Sequence, residues 1–168
     1  MTHILQDMNH LEWIMKQPEV FPHLGFSDYD SIDINKFVNH RVTILANEDE
    51  TAVSLWEESS PGIFEAHSLF TNDCRGRDAI RVGSDMIEWM IINKDPLLLW
   101  GQTPVINKAA NWWNRQVGLK YITQVEDPNL NMTMNFYALG SDEVLDTLRT
   151  SVASLKANEQ SDSNQKFD

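Results

Sequence analysis

The spacing of apolar positions changes period several times along the chain, and each change marks an element. Met8, Leu11, Ile14 and Met15 recur at helical spacing, which predicts a first helix stopped by Pro18. Residues 21–26 read as a loop, and residues 32–38 as a short second helix capped by Ser31. From Val42 onward the pattern becomes short and β-branched. Residues 42–46, 51–56 and 63–70 are three strands separated by polar turns at 47–50 and 59–62, an antiparallel meander.

After Phe70 a polar stretch leads into a helix of about four turns, with Ile80, Met86, Ile87, Met90 and Ile91 on its apolar side and Pro96 beyond its end. Residues 97–102 are almost continuously apolar, the pattern of a strand covered on both faces. A helix over 107–117 follows, closed by Gly118 in a left-handed conformation. Two strands, 119–125 and 132–139, come next. Residues 142–156 form a last amphipathic helix striped by Val144, Leu145, Leu148, Val152 and Leu155. Residues 1–156 are read as one α/β domain, and the polar 157–168 as a disordered tail.

Composition narrows the function. The chain has 168 residues and a formal net charge of -12, with a sequence pI of about 4.7. Such a field repels nucleic acid, whose binding draws on counterion release from phosphates, so no direct nucleic-acid partner is expected. One cysteine, Cys74, excludes an intrachain disulfide and reads as a reduced thiol. The start lacks the basic and apolar regions of a secretory signal, and no apolar run approaches the ~20 residues of a membrane span. A cytoplasmic protein with no membrane partner is expected. Six tryptophans are many for this length. Trp112 and Trp113 are adjacent, so both cannot face the core, and one is left to solvent, a cleft or a partner.

Two stretches carry a family resemblance. The first is Glu65-Ala66-His67-Ser68-Leu69-Phe70 followed by Arg75-Gly76-Arg77-Asp78-Ala79-Ile80. The second is Trp100-Gly101-Gln102-Thr103-Pro104 with Asn107, Ala110, Gly118 and Leu119. Together with the element order they resemble the GNAT (Gcn5-related N-acetyltransferase) superfamily over roughly residues 42–139. The resemblance implies a mixed, mostly antiparallel sheet flanked by helices, acetyl-CoA as cofactor, and an amine-bearing small molecule or protein as acceptor. It places Phe70, Arg75, Gly76, Arg77, Asp78, Ala79, Asn107 and Ala110 at the cofactor, and Glu65 and His67 at the chemistry. The chain is also similar to degenerate GNAT-like proteins of short-tailed bacteriophages. That likeness implies a non-catalytic head-assembly or internal virion protein, with phage structural proteins as partners, in the host cytosol or virion. A homodimer is a further partner expectation.

The residues themselves say why such chemistry is reasonable. A helix start presents free amides and a positive dipole end to a diphosphate, and a glycine lets backbone come close. Gly76 with Arg75, Arg77 and Arg81 has these features. A turn glycine beside solvated arginines has them too. Glu65 and His67, two apart on a strand, share a face, and Glu65 is the candidate base. The same two residues also fit a half-buried polar pair. Departures from the family pattern are Asp73, three residues before Gly76, and Asp78, two after it, both carboxylates beside an anion site. The family's acid, a tyrosine seven residues after the helix asparagine, is here Asn114, and Tyr121 does not occupy that place. Asn107 is also the natural cap of its helix. His3, His10, His23 and His40 show no metal-ligand spacing, and Glu57-Glu58 read as surface charge.

Overall fold

A computed structural model of the chain describes residues 1–127, 131–151 and 153. Seven strands form one sheet in the order β1-β2-β3-β4-β5-β7-β6. These are β1 (Thr2–Ile4), β2 (Val42–Asn47), β3 (Ala52–Ser60), β4 (Ile63–Phe70), β5 (Leu98–Pro104), β6 (Lys120–Asp127) and β7 (Met132–Gly140). All neighbours are antiparallel except β4 and β5, which run parallel. The helices are α1 (Met8–Met15), α2 (Arg77–Lys94), α3 (Lys108–Gln116) and a last one, α4, helical over residues 142–151. Among the described residues no helix is long and apolar enough to cross a membrane. The expected mixed α/β architecture is the one found.

Side-chain alternation on the strands sorts the core into layers. Leu45, Trp56, Phe64, Leu99 and Tyr137 face α2 and α3, meeting Val82, Met86, Met90 and Val117. On the other face Ile44, Val53, Leu55 and Leu69 meet Leu11, Ile14 and Met15 of α1. Further along that face Leu98 and Ala138 lie under Leu145 of α4, with Trp100 and Phe136 beside them. Burying each large apolar side chain contributes about 1.5–3 kcal/mol.

Several expectations change. The helix at 32–38 does not form. Two 3-10 turns, Tyr29–Ser31 and Ile34–Lys36, take its place. Asp28 accepts the Ser31 amide at 2.8 Å and Asp33 the Asn35 amide at 3.1 Å, so local side-chain bonds close each turn before a helical ladder can grow. Ser31 closes a reciprocal capping box with Asp28 rather than capping a helix. The loop after α1 contains a 3-10 turn, Phe21–His23. Thr2–Ile4 is an edge strand that the apolar pattern does not announce, because all three of its residues are exposed or half-buried. Of the last helix's stripe, Leu145 is buried and Val144 and Leu148 half-buried. Val152, Leu155 and the 157–168 tail lie outside the described residues.

Candidate active site

The parallel ladder of β4 and β5 is short. It pairs Ile63 with Leu98, Phe64 with Leu99 and Glu65 with Trp100, and then stops. Beyond that point β4 stays paired with β3 as far as Phe70, and β5 stays paired with β7 as far as Pro104. Their inner edges therefore diverge into a wedge. Gly101 sits at its apex, where a Cβ would lie 3.1 Å from the Ala66 carbonyl oxygen. Any side chain at 101 would push the two strands apart sooner.

The chain leaves β4 and returns at Gly76, the N-cap position of α2, with φ 59° and ψ -123°. No side chain caps this end, and the amides of Arg77 and Ala79 donate to no group among the described residues. A Cβ on Gly76 would meet nothing within 4 Å, so the space in front of the helix is open. Arg75, Arg77 and Arg81 are exposed around it. These features suit a diphosphate. Asp78 lies exposed in the first turn and Asp73 exposed in the loop, so both carboxylates are free to point into solvent. Burial pushes the Cys74 thiol up, which leaves it protonated and inert near neutral pH.

Glu65 and His67 do share a face, and it is the face away from α2 and α3. Phe64, Ala66 and Phe70 point toward those helices, whereas Ile63 and Leu69 pack on the opposite side. Glu65 Oε1 lies 3.8 Å from His67 Nε2. The Glu65 side chain is 27% exposed and that of His67 56%, so the carboxylate is the more enclosed of the two. Burial pushes the Glu65 carboxyl above the usual carboxylate range. His67 pulls it down, and Glu57, directly opposite on β3, raises it again. Glu57 is exposed, as its reading as surface charge requires, and its charge reaches Glu65. Trp100, paired with Glu65 in the ladder, stacks on Phe136 with ring centroids 5.0 Å apart and forms an aromatic wall beside the carboxylates.

The far side of the wedge belongs to α3. Asn107 caps it, its side chain accepting the Ala110 amide at 3.1 Å. Gly118 has φ 92°, the left-handed conformation expected beyond the helix end. Asn114, standing where the family has its tyrosine, is buried and donates to the Thr103 hydroxyl at 2.8 Å. Tyr121 is exposed, on β6. No tyrosine stands on α3 at 114, and Tyr121 lies on a different element.

Two arrangements escaped sequence reasoning. Asn111 is a buried hub. Its amide nitrogen donates to the Pro104 and Asn107 carbonyls at 2.8 and 2.7 Å, and its oxygen accepts from Asn135 at 2.6 Å and Tyr137 at 2.9 Å. Trp113, the less exposed of the two adjacent tryptophans, reaches across to α2 and donates to the Ala79 carbonyl at 2.9 Å. Asn111 carried no signal, because a helical asparagine is usually a surface residue. Trp113 carried one, the glycine in the middle of α2 against which it seats.

The sequence matches no protein-family model and no curated protein. Solved structures do match its shape. A chimera of spermidine N-acetyltransferase SpeG from Vibrio cholerae with hSSAT aligns with a TM-score of 0.66 at 9% identity, over 83% of this chain and 93% of that one. Aminoglycoside acetyltransferase AAC(6')-Ib, solved with coenzyme A, gives 0.67 at 11% identity, over 88% and 98%. A putative acetyltransferase from Acinetobacter baylyi ADP1 gives 0.62 at 13% identity, over 84% and 93%. At these identities the likeness is one of architecture, and it establishes that this chain has the fold of the GNAT acyltransferases.

Proposed function

We propose that the protein is an N-acyltransferase that uses acetyl-CoA and an amine acceptor. One observation supports this reading above the others. The wedge opens immediately beyond Glu65, with an uncapped helix start on one side of the sheet and a half-buried carboxylate of raised pKa on the other. The residues fit the donor's diphosphate end, with amides near Arg77 and Ala79 and the charges of Arg75, Arg77 and Arg81 available to hold it. When bound, acetyl-CoA supplies the thioester carbon that an amine attacks.

The remaining work falls to the chain. Glu65 accepts the proton that the acceptor loses, directly or through one water, and its raised pKa brings it closer to the range where a base works well. Backbone amides on the free edge of β4, beyond Glu65, are the donors available to a developing oxyanion. Asn114 cannot serve as an acid, so the departing thiolate draws its proton from solvent. The acceptor is a cation before it reacts, as the spermidine and aminoglycosides of the similar enzymes are. Glu57 and Glu65 attract it, the Trp100–Phe136 wall flanks it, and the net charge of -12 steers it in.

Thermal melting with and without acetyl-CoA tests the donor half. A ligand at about one hundred times its dissociation constant adds about 2.7 kcal/mol. No shift at millimolar acetyl-CoA would remove this reading. A second reading, a non-catalytic protein on the same fold, is favoured by Asn114 in the tyrosine's place. Donor binding without acetylation of any polyamine, aminoglycoside or lysine peptide would select it. Assembly into a phage particle is one form that this second reading takes.

A further inference from the structure

A primary amine that arrives as a cation holds three protons on nitrogen, and the amide it becomes holds one. Two must leave, one before the nitrogen can attack and one as the new bond is completed. Glu65 carries one at a time, so it has to be emptied while the acceptor still lies over it. Two titratable groups act on Glu65, the His67 imidazole on its own strand and the Glu57 carboxylate across the strands. Glu57 is exposed, and a solvated carboxylate is a weaker base than an imidazole. His67 lies two residues beyond Glu65, past the last rung of the β4–β5 ladder, with Nε2 3.8 Å from Glu65 Oε1. Its side chain is 56% exposed against 27% for Glu65, and its ring nitrogens make no hydrogen bond among the described residues. A gap of 3.8 Å closes to hydrogen-bond length by a small rotation of the ring or by one bridging water.

We propose that His67 is the exit of the proton path: it takes from Glu65 the proton that Glu65 has taken from the acceptor, and gives it to solvent. This rests on the acyltransferase reading above. The ammonium form gives its first proton to Glu65 and, through Nε2 of His67, to water. The neutral nitrogen then attacks the thioester carbon, the C–N bond forms, and the C–S bond breaks with its electron pair left on sulfur. The second proton follows the first through Glu65 and His67. The thiolate takes one proton from solvent, so each turnover releases one proton net. An imidazole suits the relay because it takes up and gives up a proton near neutral pH through two different nitrogens. With an acceptor over Glu65, the exposed ring keeps its contact with water.

The test compares wild type, His67→Ala and His67→Gln, with spermidine, an aminoglycoside and a lysine peptide as acceptors. In the free protein, the carbon-13 titration of the Glu65 carboxyl, assigned by its loss in Glu65→Gln, should move to higher pH in both His67 variants. In turnover, kcat should fall about tenfold or more, with the acceptor KM and the acetyl-CoA thermal shift unchanged. Added imidazole should restore His67→Ala in proportion to its neutral form. Both variants change an exposed side chain, and His67→Gln keeps a polar one should the alanine variant fold poorly. An unmoved Glu65 titration, full turnover without His67, or a loss that imidazole leaves in place overturns the relay while the acyltransferase reading stands. A rise in KM with kcat unchanged also overturns it, and assigns His67 to acceptor binding. Wild type that binds acetyl-CoA and acetylates none of the three removes that reading and the relay together.

Discussion

Glu65 and Trp100 are the last paired residues of the parallel β4–β5 ladder, so the candidate base stands at the point where the two strands part. Its carboxyl is half-buried, between the charges of His67 and Glu57. Replacing it with glutamine preserves shape and hydrogen bonding but removes the proton acceptor. Turnover by Glu65→Gln should fall by about 10²-fold or more, with the acetyl-CoA thermal shift unchanged. Steady-state rates beside a melting curve decide it, and full activity in the variant removes Glu65 from the mechanism.

The same substitution has a signature in stability. A carboxyl whose folded pKa is raised binds its proton more tightly in the native state than in the unfolded chain. Its contribution is therefore fully present below the unfolded pKa and lost as pH rises through the folded one. Wild type should be less stable than Glu65→Gln at neutral pH, and the gap should close on acidification to about pH 4. Urea titrations of both proteins at the two pH values measure it. A gap that widens toward acid contradicts the assigned environment.

Glu57 lies directly across the strands from Glu65 and raises its pKa. Removing that charge with Glu57→Gln should move the acid limb of the rate profile to lower pH, and at the same time raise KM for a cationic acceptor. An unmoved limb would separate Glu57 from the base.

Gly76 holds φ at 59° with open space around its missing Cβ, so its constraint comes from the backbone rather than from neighbours. Gly76→Ala should cost about 1–3 kcal/mol of strain, or reshape the loop and weaken coenzyme A binding. Unchanged melting and unchanged binding together would show that the conformation is incidental.

Asn111 satisfies two carbonyls, one amide and one hydroxyl at once. Asn111→Leu strands these buried partners, at about 1–3 kcal/mol for each group that finds no replacement. The variant should lose at least about 3 kcal/mol by urea denaturation. A loss under about 1 kcal/mol would mean that water takes over the network.

Much of the sheet was legible from sequence because its strands are apolar, β-branched and joined by polar turns, as at 42–46 and 63–70. The α2 and α3 boundaries were legible from Gly76, Pro96, Asn107 and Gly118. The N-terminal half was less so. The exposed Thr2–Ile4 strand has no periodicity to read, and Asp28 and Asp33 divert a helix-like stretch into 3-10 turns. Within the site, Glu65 and His67 share a face as their spacing requires, and Asn107 caps α3 as its residue type suggests. The Asn111 hub and the Trp113 bridge depend on contacts between elements 20 or more residues apart. No local pattern encodes those. The expected likeness to phage assembly proteins has no counterpart among the three solved structures named above.

Within the sheet, three ladder pairs and the bonds from the Leu97 and Leu98 amides to the Gly62 carbonyl join the antiparallel half built on β1 to β4 with the half built on β5, β7 and β6. A seam so short is where a sheet breathes first. Sub-global opening there would free the Leu98 and Trp100 amides, which face β4, to exchange with deuterium sooner than the Leu99 amide, which faces β7, while each half kept its own ladder. Beneath the seam Phe64 and Leu99 share one core with α2, so the strands can part beyond Glu65 while the layer under them keeps the two halves together.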